Sequence, residues 1–157
     1  MSYKTIDIDR QELVDATVEA RRKGVGYKLG AKAQDINSIP GPGKSIDCSG
    51  WMRILLRRAA NTIIPDGSWL QREWCERQGF KRSTYDQNGA GLKDGRVRIA
   101  FIRPKGERAG HVWALWMGKT FESYYRNGPG NRAWDTKTLK SRATDCYVLD
   151  MREIEEL

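Results

Sequence analysis

Two hydrophobic periods divide the chain. In the first half apolar positions recur every three to four residues, as on one helix face; in the second they alternate or run together, as in strands. Asp9 followed three residues later by Glu12 is a capping-box pattern. Leu13, Ala16, Thr17 and Ala20 continue from it at helical spacing, and Gly24 is placed to stop the helix. Residues 24–47, with Gly26, Gly30, Pro40, Gly41, Pro42 and Gly43, predict a long irregular segment of the kind that usually serves function. A second helix is predicted from Cys48 to about Asn61, with Met52, Leu55, Leu56 and Ala59 inward and Arg53, Arg57 and Arg58 outward. Pro65-Asp66-Gly67 predicts a turn, and Ser68 is expected to cap a third helix that presents Leu70 and Trp74 and ends at Gly79.

Beyond Gly79 the period changes. Arg96 to Ile102 alternates polar and apolar, as a half-buried strand does. His111 to Met117 is apolar on both faces and predicts a central strand. Gly118-Lys119 is expected to turn the chain into a strand over Thr120–Tyr125, with a last short strand at Cys146–Leu149. Helices first and antiparallel strands after predict an α+β fold, the helices packed on one face of a sheet. With no repeat, low-complexity run or linker, residues 1–157 are expected to form a single domain.

Composition narrows the classes. At 39% hydrophobic and 31% charged residues the chain is too apolar to be disordered. Its longest uncharged apolar stretch is far short of the roughly 20 residues a membrane span needs. The first residues lack the apolar core of a secretory signal, so action outside the cytoplasm, in a periplasm or cell wall, would require delivery by another system. A formal charge of +8 attracts polyanions, whether nucleic acid, anionic lipid or cell-wall polymer, and by itself names none of them. Three cysteines, at 48, 75 and 146, make no C-x-x-C pair, and with a single histidine no metal site is expected.

Cys48 and His111 are the candidates for chemistry. Asp47-Cys48-Ser49-Gly50 stands where a glycine-rich segment enters a helix. A cysteine in a first helical turn meets the positive end of the macrodipole and unpaired backbone N–H groups. Both favour the nucleophilic thiolate, and the same N–H groups can hold an oxyanion. Gly50 is expected to keep side-chain bulk away from that spot. A small buried hydrophobic cysteine would read the same way on this tetrapeptide alone. His111 follows Ala109-Gly110 at the mouth of the apolar strand, where a neutral imidazole can take a thiol proton; a structural histidine is the alternative. Six tryptophans, at 51, 69, 74, 113, 116 and 134, fit core packing better than a sugar- or peptide-stacking cleft.

Taken together, Asp47-Cys48-Ser49-Gly50 at a helix start and Gly110-His111-Val112 at a strand start resemble the NlpC family of papain-like cell-wall cysteine peptidases and amidases. Further segments resemble it in order: Gly26 to Ala31 its Tyr-x-x-Gly-Gly stretch, Ile64-Pro65 with the Ser68–Gly79 helix its segment after the nucleophile helix, and Arg98 to Ile102 the strand before its histidine. The resemblance implies Cys48 as nucleophile, His111 as base and Tyr27 beside the thiol, with Asp47 and Ser49 at the substrate or oxyanion side. It places the residue that orients the imidazole on the next strand. Phe121-Glu122-Ser123 occupies that place, where the family often has an apolar residue, His and a small residue. Glu122 is the candidate, and Ser123 and Asn127 are the alternatives. Glu122-Ser123 followed by Asn127 to Arg132 and Trp134 is similar to phage-associated and secreted antibacterial amidases.

The implied activity is hydrolysis of an amide bond in the stem peptide of peptidoglycan, at a D-glutamyl–diamino acid bond or elsewhere in the stem, through a thioester and without a cofactor. A delivery or immunity partner is implied if the chain is a secreted effector. Two other classes remain open: a basic nucleic-acid-binding module with incidental Cys and His, and a thiol acyltransferase on the same fold. A relative that binds wall peptide without cutting it is a third.

Overall fold

The computed structural model describes residues 2–83, 94–107, 109–134 and 142–151. Among the described residues three helices, α1 (Arg10–Arg22), α2 (Cys48–Ala60) and α3 (Ser68–Gln78), precede the strands. The strands are β1 (Lys81–Arg82), β2 (Val97–Ile102), β3 (His111–Trp116), β4 (Lys119–Tyr124), β5 (Gly128–Gly130) and β6 (Asp145–Asp150). They form one antiparallel sheet in the order β1-β6-β2-β3-β4-β5. The α+β layout expected from the sequence is the one observed.

The Asp9 carboxylate caps α1 by accepting from the Glu12 N–H at 3.2 Å. The reciprocal half of a capping box is not made. The Asp9 N–H donates to Ala59 O, and Glu12 instead accepts from Arg58, whose guanidinium also reaches Glu19 and ties α1 to α2. Helix α2 buries nine of its thirteen residues, among them Met52, Leu55, Leu56 and Ala59, and ends on Asn61 in the left-handed conformation. Its burial begins at the first residue. That end of the helix is therefore fixed against the sheet rather than frayed.

Helix α3 departs from expectation. Its N-cap is Gly67, with no side-chain hydrogen bond, and Ser68 is already helical. Leu70 is 47% exposed, while Gln71 and Cys75 are the buried positions. The shift has a polar cause: Gln71 Nε2 donates to the carbonyls of Ser49 and Pro65, so an amide crossing from α3 to α2 sets the inward face. Strand β2 is buried on both faces rather than one, Arg98 included, because β3 and β6 flank it and a second apolar cluster covers the side away from the helices. That cluster contains Ala100, Trp113, Leu115, Trp134 and Cys146. Arg98 is tolerated there through a two-point pair with Asp94, at 2.9 and 2.7 Å.

The β3–β4 turn is Met117-Gly118, one residue earlier than expected, with φ of 53° and 77° at its two positions. Two left-handed residues suit the twist of a tight hairpin. Strand β5 and the pairing that begins at Lys81 had no signature in the sequence. Gly128, at φ +76°, is where β5 crosses the start of the loop over residues 24–47; a Cβ there would stand 2.3 Å from Val25 O. The loop itself is pinned. Gly26 N–H donates to Lys44 O, Ile46 N–H to Gly26 O, Asp47 N–H to Ala31 O, and Ser123 Oγ on β4 donates to Ile46 O at 2.8 Å. The residue two before Cys48 is thus tied to the strand that carries Glu122.

Candidate active site

Cys48 is the first residue of α2 and is 6% exposed. Asp47 caps the helix: its Oδ1 accepts from the Gly50 N–H at 2.7 Å and the Ser49 hydroxyl at 3.2 Å. Its Oδ2 pairs with Lys32 at 3.2 Å, and burial opposes but does not cancel the upward pull of Asp47 on the lysine's pKa. The side chains of Asp47 and Ser49 are consequently used within the helix start. What Ser49 can offer an oxyanion is its backbone: among the described residues, the N–H groups of Cys48 and Ser49 have no hydrogen-bond partner, as first-turn geometry dictates. Gly50 is required for a different reason from the one expected. A Cβ would point inward, to 2.9 Å from Asp47 Oδ1 and 3.0 Å from Ala33 N, and would break the cap.

His111 opens β3, its side chain 17% exposed. Gly110 before it is enclosed; a Cβ would lie 2.8 Å from Ile102 O and 2.9 Å from Ser68 Oγ. The imidazole stacks at a tilt on Trp113, with ring centroids 5.4 Å apart. Its Nε2–H donates to Glu122 Oε1 at 2.7 Å. With Nε2 taken by Glu122, the ring nitrogen left for Cys48 is Nδ1. Burial pulls the His111 pKa down, but the nearby Cys48 and the bonded Glu122 outweigh it and raise the value to about 9.

Glu122 is fully buried on the face of β4 that Thr120 and Tyr124 share. Its carboxylate accepts from His111 Nε2, from the Thr120 hydroxyl, and from Arg132 twice, Nε to Oε2 at 3.0 Å and Nη2 to Oε1 at 2.6 Å. Burial raises a carboxyl pKa, but these donors overcome it and hold Glu122 down at about 2. Of the two alternatives, Ser123 faces the helices and bonds Ile46 O, and the Asn127 amide donates to Gly128 O and Pro129 O within its own turn. Neither meets the imidazole.

Tyr27, Leu29, Tyr124, Tyr125 and His111 line a cleft of about 520 Å³, with Arg132 and Arg142 on its wall. Tyr27 packs edge-on to Tyr125 at 6.4 Å. Burial, and then the negative charges of Cys48 and Asp47, raise its phenol pKa, so it remains a hydroxyl donor. The aromatic wall is tyrosine throughout. Trp51, Trp113 and Trp134 are buried in the core, Trp74 and Trp116 pack against it, and Trp69 is 43% exposed. Arg132 and Thr120 are the residues that sequence reasoning missed. The available signal was Thr120-x-Glu122, two polar residues on one strand face, followed by a Gly-Pro-Gly stretch able to fold a cation back over them.

Three helices on an antiparallel sheet, with Cys48 at the start of α2 and the His111–Glu122 pair at the start of β3, make an α+β fold. No protein-family model and no curated protein matches the sequence. Among solved structures the chain is similar to a protein described as similar to lipoprotein, of the NLP/P60 family, from Staphylococcus aureus subsp. aureus Mu50. The TM-score is 0.59 at 14% identity, over 96% of this chain and 45% of that one. The likeness is one of fold, and this chain spans less than half of that protein's length. Among the described residues no helix is long and apolar enough to cross a membrane.

Proposed function

We propose that the chain is a cysteine hydrolase that cuts an amide bond in the peptide stem of bacterial cell wall. The observation that carries the reading is the His111–Glu122 pair, Nε2 to Oε1 at 2.7 Å with the carboxylate fully buried, in a fold that starts α2 on Cys48. The cell-wall substrate is supported by the NLP/P60-like fold and by the cleft, where Arg142 suits a carboxylate-bearing peptide and tyrosines suit its apolar parts.

In this mechanism the His111 ring takes the Cys48 thiol proton as the nucleophile is activated. The Cys48 sulfur attacks the amide carbonyl and a C–S bond forms. The oxyanion is met by the N–H groups of Cys48 and Ser49, with the Tyr27 hydroxyl nearby. Imidazolium Nδ1–H gives its proton to the leaving amine as the C–N bond breaks, and Glu122 keeps the ring aligned throughout. The neutral ring then takes a proton from water, which attacks the thioester; the acid leaves, and thiolate and imidazolium are restored. The test is mass spectrometry of purified wall fragments incubated with wild type and with Cys48→Ala. A cleaved stem peptide that depends on Cys48 is expected. Unchanged fragments, or equal cleavage by Cys48→Ala, would sink the proposal.

A further inference from the structure

Glu122 is held from two sides, and the side away from His111 is unusually well built. Arg132 reaches it with Nε and Nη2 together, and its guanidinium carbon lies over Tyr124, 4.3 Å from the ring centroid. The Arg132 backbone is fastened to the strand that carries Glu122. Thr120 N–H donates to Arg132 O at 2.8 Å, and Arg132 N–H to Thr120 Oγ1 at 2.7 Å. That same hydroxyl donates to Glu122, and the neighbouring Asn131 amide donates to Thr120 O. An arginine placed only for surface charge would not be held at backbone, fork and aromatic ring together.

We propose that Arg132 is a positioning residue for the Cys48–His111 pair: its fork fixes the Glu122 carboxylate with Oε1 toward His111, and its charge balances that carboxylate so that the imidazole can release its proton. Two cations share one buried carboxylate. With Arg132 always protonated, His111 faces a nearly neutral pair rather than an undivided negative charge. The other groups around the ring are Cys48 from α2, Trp113 from β3 and Tyr124 from β4, with Tyr27 and Arg142 on the cleft wall and the Asp47–Lys32 pair behind Cys48. Among the described residues none of them is hydrogen-bonded or ion-paired to Glu122. Removing the Arg132 charge should therefore leave His111 more firmly protonated, a worse donor to the leaving group.

The role rests on the hydrolase reading only for its kinetic arm. The chain has one histidine, so its imidazole gives one unambiguous NMR titration. Measured in a Cys48→Ala background, thiol ionisation does not enter. Arg132→Gln should raise the midpoint by about one pH unit. Arg132→Lys, which restores the charge without the fork, should return it close to the parent value. With Cys48 intact, the Gln variant should move the basic limb of wall-fragment hydrolysis upward by the same amount. The Lys variant should keep the limb and lose kcat by about tenfold or more. A midpoint unmoved or lowered in Arg132→Gln, or not restored by Lys, overturns the proposal. Should the Gln variant fail to fold, Arg132→Lys decides: reduced kcat at an unmoved midpoint supports the role, and unchanged kcat overturns it. Absence of wall hydrolysis by wild type would sink the hydrolase reading and leave the titration result standing.

Discussion

Replacing Glu122 by Gln keeps the size of a fully buried side chain and removes its charge, which isolates the electrostatic part of the site. In the wild type the His111 pKa stands at about 9, against an ordinary 6.5. That difference corresponds to up to about 3 kcal/mol of stability carried by the protonated ring. The sign follows from a value raised on folding: this stability is fully present below about 6.5 and is lost as pH rises through about 9. Glu122, lowered from 4.5 to about 2, gives the other boundary, its contribution present above 4.5 and lost as pH falls through about 2. The two shifts largely describe one interaction and are counted once, so the plateau lies between about 4.5 and 6.5. Glu122→Gln also leaves the Arg132 guanidinium unpaired, a cost that does not vary with pH over this range. The assay is urea unfolding of both proteins at about pH 5.5 and about pH 10. Tyrosine and lysine ionisation cancels because the comparison is made at each pH. The wild-type advantage should be larger at the lower pH by about 1–2 kcal/mol, the share of the raise that Glu122 rather than Cys48 supplies. In hydrolysis, the basic limb should move down from about 9 toward the ordinary imidazole value in the variant. Equal advantages at both pH values, or a larger one at pH 10, would refute the charge pairing of Glu122 with His111.

Three further outcomes follow from the same geometry. Iodoacetamide at neutral pH should label Cys48 and spare the other two thiols, since burial raises the pKa of Cys75 and pushes Cys146 up to about 12; peptide mapping that finds either one labelled as fast as Cys48 would remove the nucleophile assignment. His111→Ala should lower wall-fragment turnover by roughly a thousandfold or more with an unchanged circular dichroism spectrum, because no second histidine exists to take the proton; a folded variant with substantial turnover would place the proton carrier elsewhere. Gly128→Ala should lower stability by more than about 2 kcal/mol in thermal melts, because its Cβ would meet Val25 O at 2.3 Å from a left-handed backbone; a wild-type melting temperature would mean that β5 is not fixed against the loop before Cys48.

The parts of the fold legible in the sequence are those whose period is long and whose burial is one-sided. Helix α2 was readable because Asp47, the apolar stripe and Asn61 agree at every level, and β3 because an apolar run of that length bounded by glycines has few other uses. Helix α3 misled because one buried amide, Gln71, outweighs Leu70 in choosing the inward face, and hydropathy alone cannot anticipate a glutamine with two carbonyls waiting for it. Strand β5 is three residues of Gly-Pro-Gly, which on propensity reads as a turn; only its partner Glu122–Tyr124 and the close passage over Val25 make it a strand.

The candidate site divides in the same way. Cys48 and His111 stand at element boundaries, and boundaries leave marks in sequence: a cap before one, a glycine before the other. Glu122 stands inside a strand, where a lone acidic residue reads as solvent-facing, and its burial depends on cations brought from elsewhere. One of them, Arg132, comes from beyond the turn that β5 makes possible, so a tract that looked like loop supplies the counter-charge without which a buried carboxylate would not stay ionised. The order of dependence is therefore fixed. Gly128 permits β5, β5 returns the chain to β4, the return places Arg132 on Thr120 and Glu122, and a charged Glu122 aligns the ring that faces Cys48. It predicts that Gly128→Ala should damage the His111 titration as well as the melting temperature, by releasing Arg132 from its carboxylate. Should the midpoint of the single histidine stay at its wild-type value in a Gly128→Ala protein that has lost stability, the β5 return and the Glu122 carboxylate are independent, and this chain of dependence is wrong.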